Sequence, residues 1–188
     1  QWEHDVVLER FGKTDPYALR DFGLVGERTI MAHCPYVTEE EGEMFAELGV
    51  AIAHCPMANS YFSSAVAPVQ RFRKQDIHVG LGTDISGGYS PSMYENIRQA
   101  VLVSRLLETG VNAMLPPDER GGLGEGTRVS IVESFWLATT GGAEALGLHF
   151  VFGFILIRKV QDDPLFTHIV LIIAQGAPQE KPFCDFAV

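Results

Sequence analysis

With 188 residues, 46% of them apolar, the chain has room for one domain and a small appendage, and its composition excludes wholesale disorder. A formal net charge of −10 argues against a nucleic-acid backbone or an anionic membrane surface as partner, since either favours a basic patch, and a solvated acidic surface accounts for it. The three cysteines, Cys34, Cys55 and Cys184, make neither an even framework nor a C-x-x-C pair, which fits a reducing, cytoplasmic setting. No signal peptide is visible, and the longest uncharged apolar run, 146–157, is too short for a membrane span before Arg158-Lys159 stops it. Gln1 in place of a starting methionine suggests a piece of something longer.

Residues 1–27 mix Trp2, Val6, Val7, Leu8 and Phe11 with many charges, and predict only one helix, from about Thr14 or Asp15 to Asp21 with Gly23 closing it. The run 28–35 is then an apolar strand ending in Ala-His33-Cys-Pro. Thr38-x-x-Glu41 is a capping box, in which the threonine accepts from a free amide of the first turn while the glutamate reaches back. It opens a helix to Leu48 with Met44, Phe45 and Leu48 on one face and Gly49 as its stop. A second strand spans 50–55 and ends in the same tetrad, Ala-His54-Cys-Pro, which recurs after 21 residues. An irregular segment carrying Asn59 and Ser60 follows, then a helix near 65–75. The third strand, 77–84, ends in Asp84, and Gly87-Gly88 turn the chain behind it. Ser92-x-x-Glu95 is a second capping box, opening a helix whose Met93, Ile97, Ala100, Val101 and Ser104 share a face. Residues 109–127 read as loop, and Ser130-x-x-Glu133 caps a helix through Phe135, Trp136 and Ala138 towards Leu146. Beyond about residue 149 the pattern changes to two β segments, 150–157 and 166–174, and an irregular end.

Strand and helix alternate three times, which implies parallel strands joined by right-handed crossovers, as in an α/β barrel or a doubly wound sheet. Three strands are too few to close a barrel of eight. The carboxyl ends of such strands are where α/β folds carry their chemistry, and His33, His54 and Asp84 all lie there. Imidazole and carboxylate at adjacent strand ends suit a metal-assisted hydrolase, because zinc takes such ligands and keeps a position open for water. Taken singly, each histidine is more often a hydrogen-bonded structural residue than a ligand, but the inferred strand ends and the glycine-rich loop behind Asp84 favour His33 and Asp84. Cys34 and Cys55 are discounted as co-ligands, since neighbouring strand residues point to opposite faces. Gly80-x-Gly82 lacks the third glycine of a dinucleotide-binding turn, and neither a Gly-x-Ser-x-Gly elbow nor a Walker loop is present.

Three stretches together carry a more specific likeness: Thr29-Ile-Met-Ala-His33-Cys; Glu-Leu-Gly-Val-Ala-Ile-Ala-His54-Cys-Pro-x-x-Asn59-Ser; and Val79-Gly-Leu-Gly-Thr-Asp84-Ile-Ser-Gly-Gly-Tyr-Ser-x-Ser-Met93. With Ile97-Arg-Gln-Ala100 and the 138–147 segment, they resemble the last three strands of the catalytic barrel in amidohydrolase-type guanine deaminases. The resemblance covers roughly 24–148. It implies a partial (β/α)₈ barrel over 1–148, with a divergent β-containing tail, 149–188, where the family has a β-sandwich return. It also implies one zinc ion per complete site, a purine substrate, hydrolysis of guanine to xanthine and ammonia, and a homodimer. Asp84 matches the last zinc ligand and the proton shuttle, and with His33 it would also contact substrate; His33 matches the histidine that orients the attacking water. His54 matches a position that is not a ligand and takes a structural role. The His-x-His and the fifth-strand histidine of the family are missing here, so this chain alone is expected to be inactive, to bind zinc weakly and to be poorly soluble through its unpaired strand edges. Two alternatives stand beside this reading. One is a related zinc amidohydrolase acting on another amino- or halo-substituted heterocycle, and the other a non-catalytic truncated isoform that binds full-length subunits.

Overall fold

The computed structural model describes residues 2–62 and 65–148. The chain divides into two units, Gln1–His149 and Phe150–Val188, and the β segments expected at 150–157 and 166–174 lie outside the described residues.

Three short strands, β1 (Ile30–Ala32), β2 (Ala51–His54) and β3 (Val79–Leu81), form one parallel sheet in the order β1-β2-β3. Ile30 pairs with Ala51 and Ile52 with Val79, so each strand follows its neighbour through a helical crossover as the alternation of patterns predicts. Helix α1 (Trp2–Phe11) and α2 (Asp15–Asp21) precede the sheet, and α3 (Glu39–Leu48) joins β1 to β2. Helices α4 (Pro56–Tyr61) and α5 (Val69–Lys74) lie between β2 and β3, while α6 (Met93–Thr109), α7 (Ile131–Ala138) and α8 (Thr140–Ala145) follow β3. β2 is the central strand, with Ile52 fully buried, and β1 is an outer strand whose Ile30 remains 40% exposed. Phe45 of α3, Phe72 of α5 and Leu137 of α7 meet Ile52 and Val79 in one core.

The local signals of helix starts are realised physically. The Thr38 hydroxyl accepts from the Glu41 amide at 3.2 Å and the Glu41 carboxylate accepts from the Thr38 amide at 2.8 Å, while Gly49 stops α3. Glu41 also accepts from the Thr14 hydroxyl, which ties the start of α2 to α3 and satisfies a carboxylate only 2% exposed. At α7 the same reciprocal pair joins Ser130 and Glu133.

Other expectations are corrected. Residues 2–11 form a helix that the mixed charges hide. The stretch around Asn59 and Ser60 is helical, because Pro56 stands in the first turn of α4, where its missing N–H costs nothing. The helix expected at 65–75 begins only after Pro68. Ser92 forms half a box: its hydroxyl accepts from the Glu95 amide, but the Glu95 carboxylate turns to Arg98 at 2.7 Å and the Ser92 amide donates to Ser90 Oγ. The inner face of α6 is Asn96, Ile97, Ala100, Val103 and Ser104, leaving Met93 and Val101 half-buried. The segment read as loop holds a 3₁₀ turn, Pro117–Glu119, and the helix expected to reach Leu146 breaks at Thr139, whose φ of −125° and ψ of −92° separate α7 from α8.

That break lets α8 turn onto β3 with two glycines leading. A Cβ on Gly80 would stand 2.9 Å from Gly142 Cα, a backbone atom that cannot move aside as a side chain can. Gly80→Ala is therefore expected to lower stability by about 1–3 kcal/mol through overpacking. A urea midpoint shows this directly, with Gly26→Ala, which meets no atom within 4 Å, as the near-neutral control.

Candidate active site

At the carboxyl end of the sheet the ladder continues one step beyond the strands. The last two carbonyls of β2 accept from the segments on either side, Ala53 from the His33 amide and His54 from the Gly82 amide, both at 2.9 Å. These bonds fix where each flanking chain leaves the sheet. His33 then enters the left-handed region at φ 64°, Cys34 at φ 53° and Asp84 at φ 46°, conformations uncommon without glycine. The Asp84 turn closes by a bond from the Gly88 amide to the Asp84 carbonyl. Only glycine fits there, since a Cβ on Gly88 would fall 2.1 Å from the Thr83 carbonyl oxygen.

The turns bring His33 and Asp84 together. His33 Nε2 lies 3.5 Å from Asp84 Oδ2, and both side chains are a little over one-third exposed. They line a cavity of about 440 Å³ whose wall also includes Asn59 and Phe62 of the segment after β2, Cys34, and Glu41 of α3. His33 Nδ1 is 2.7 Å from Asn59 Oδ1, and Asn59 Nδ2 donates to the Ala65 carbonyl at 2.8 Å. Asn59 itself is 3% exposed. Sequence reasoning placed Asn59 in a shared motif without giving it a part in the site; its position one turn into a proline-started helix was the available signal.

His54 does not join them. Parallel pairing puts it level with His33, but it is still within β2, so its ring turns into the interior and is 1% exposed, whereas the left-handed step at His33 swings that ring into the cavity. Burial first, and the charge of His33 second, push the His54 pKa down to about 3 from an ordinary 6.5. The two cysteines are protonated thiols: burial, with Cys55 and Glu41 adding to it, raises Cys34 to about 12, and burial followed by Asp84 raises Cys55 to about 11. Among the described residues no group of three or more His, Cys, Asp or Glu side chains has the arrangement of a metal site. Asp84 and His33 are two such groups, fewer than the three protein ligands that a catalytic zinc takes beside its water.

Comparison with known proteins accords with this architecture. A model of the Amidohydrolase family matches residues 2–155. The chain belongs to that family. It is 43% identical to guanine deaminase of Mus musculus over 126 residues, which are 66% of this chain and 25% of that protein. It is 30% identical to guanine deaminase of Escherichia coli over 161 residues, 86% of this chain and 32% of the relative. The solved structure of the Escherichia coli guanine deaminase superposes with a TM-score of 0.66 at 28% identity, covering 79% of this chain and 31% of that one. A zinc-complexed atrazine chlorohydrolase from Arthrobacter aurescens superposes with a TM-score of 0.61 at 27% identity, over 77% of this chain and 29% of that one. The chain thus spans about a quarter to a third of the length of these relatives. No helix among the described residues is long and apolar enough to cross a membrane.

A buried neutral histidine makes stability depend on pH. The folded pKa of His54 lies below its unfolded value, so the unfolded chain binds the extra proton between the two. Stability from this residue is full above about pH 6.5 and falls as pH drops towards about 3, by about 1.4 kcal/mol per unit. His54→Gln, which does not titrate, is expected to be less stable at neutral pH and to lose less stability on acidification; urea unfolding at two pH values checks the difference in slope.

Proposed function

We propose that this chain is the part of a guanine-deaminating amidohydrolase that supplies the carboxylate and one histidine of the active site. The observation that carries the reading is the approach of His33 to Asp84 in the wall of a cavity, at the carboxyl ends of parallel strands, in a member of this family. Residues 1–148 are read as the last βα units of a (β/α)₈ barrel and 149–188 as a separate tail.

In hydrolytic deamination a water oxygen bonds to the ring carbon that bears the exocyclic amine and the C–N bond breaks; one water proton ends on the departing ammonia and the other on the neighbouring ring nitrogen of the oxo product. Asp84 accepts a proton from the attacking water and returns it to the amine nitrogen, so one carboxylate serves first as base and then as acid. His33, beside it, orients the water and the substrate. Asp84 is also read as one ligand of a zinc ion whose other ligands come from outside the described residues; a bound zinc lowers the pKa of water from ~15.7 to ~7. The cavity volume of about 440 Å³ suits a purine. Buried free thiols at Cys34 and Cys55 agree with a cytoplasmic setting.

The purified chain is expected to show no guanine turnover and no tight, stoichiometric zinc. Measurable xanthine formation, or zinc titrating at nanomolar affinity, would overturn the incomplete-site reading. The activity itself is tested by a chimera in which residues 24–148 replace the matching stretch of the mouse relative. Guanine deamination by the chimera, abolished by Asp84→Asn, supports the assignment. Activity only on a chlorinated triazine or another aminated heterocycle would move the substrate to that class.

A second reading draws on the outer side of β1, which pairs with no other strand among the described residues and leaves Ile30 exposed at 40%. Such an edge can pair with another chain, as in a homodimer or a complex with full-length subunits. Sedimentation of the purified chain distinguishes a monomer from a self-associating module.

A further inference from the structure

Asn59 is absent from every role assigned above, yet its two hydrogen bonds leave no freedom. The Ala65 carbonyl can only accept, so the group facing it at 2.8 Å must be the amide NH₂ of Asn59. The amide oxygen therefore faces His33 Nδ1 at 2.7 Å, and an oxygen can only accept. Nδ1 must carry the hydrogen. In neutral His33 the other nitrogen, Nε2, is then a bare lone pair, and it lies 3.5 Å from a carboxylate oxygen of Asp84, another acceptor. Burial of Asn59 to 3% exposure keeps water from competing for either bond.

We propose that Asn59 is a positioning residue that locks neutral His33 in its Nδ1–H tautomer, so that Nε2 and Asp84 form a two-acceptor notch for a hydrogen-bond donor such as the attacking water. Histidine in water favours the opposite tautomer, with the hydrogen on Nε2, so the lock reverses an intrinsic preference. Without it, Nε2–H donates to Asp84, closing the notch and occupying the carboxylate needed for proton transfer. The tautomer follows from the hydrogen bonds alone; its catalytic consequence rests on the deaminase reading.

The deciding measurement is a long-range ¹H–¹⁵N spectrum of the full chain labelled on histidine nitrogens, recorded where imidazoles are neutral. The pattern expected for His33, assigned by its loss in His33→Gln, is Nδ1 protonated and Nε2 unprotonated. Asn59→Leu removes the acceptor, and His33 is expected to revert mainly to Nε2–H. His33 carrying its hydrogen on Nε2 in the unmodified chain overturns the proposal, without need of any variant. An unchanged tautomer in a folded Asn59→Leu overturns the assignment of Asn59. In an active chimera, Asn59→Leu is expected to lower kcat about 10–100-fold with KM little changed. If the chimera lacks guanine activity while the spectra are as expected, the substrate reading fails and the tautomer lock stands.

Discussion

The arrangement depends on the two terminal carbonyls of β2. By accepting from the His33 and Gly82 amides they extend the parallel ladder beyond strands of three and four residues and hold the departing segments on both sides. Short strands carry few ladder bonds, so each terminal bond matters more here than in a long sheet. The burial of β2 protects them: Ile52 is fully buried under Phe45 and Phe72, and the site is held in place by the core rather than by surface contacts. A change that loosens that packing would be felt at His33 and Asp84 before it reached global unfolding.

The repeated tetrad shows what sequence can and cannot carry. Ala-His-Cys-Pro occurs at the ends of two strands, and the tetrad by itself does not tell His33 from His54; the family resemblance gave His33 the active part and His54 a structural one. What separates them is one backbone dihedral. β1 stops before its histidine, which takes a left-handed conformation and turns towards the cavity; β2 includes its histidine, which stays in the pleat and is sealed inside. No propensity forecasts a left-handed histidine, because it is disfavoured locally and imposed by surroundings. The capping boxes at Thr38 and Ser130 were legible because their energetics are local, involving one hydroxyl, one carboxylate and two amides within four residues. Ser92 had the same words and made only half the box, since Arg98 offered its glutamate a charged partner one turn on.

Two further features depended on contacts distant in the chain. The break at Thr139 goes with the close fit of Gly142 against Gly80, far apart in the chain. The part played by Asn59 required knowing that the Ala65 carbonyl stands on one side of it and His33 on the other. Neither partner is at a spacing that any local motif describes. Helical placement of Asn59 ran against its poor intrinsic preference, and its side chain is better employed in bonding the two segments that converge on the site.

Backbone strain adds a last argument about the character of this site. Left-handed residues other than glycine cost on the order of 1–3 kcal/mol each, and such geometry persists only where neighbours over-determine it. Here His33, Cys34 and Asp84 all adopt it within one small region, against five such residues among those described. Each is held from outside: His33 by the Ala53 carbonyl, Cys34 by its own bond to the Ala32 carbonyl at 2.8 Å, and Asp84 by Gly88 behind it. Strain so placed keeps an imidazole and a carboxylate at a fixed separation in water-accessible space, where flexible side chains would otherwise drift apart. A surface of no chemical use has no reason to maintain that cost. On the proposed reading His33 and Asp84 are two polar groups of an amidohydrolase site, and the backbone around them is built with the stiffness that a reacting centre requires.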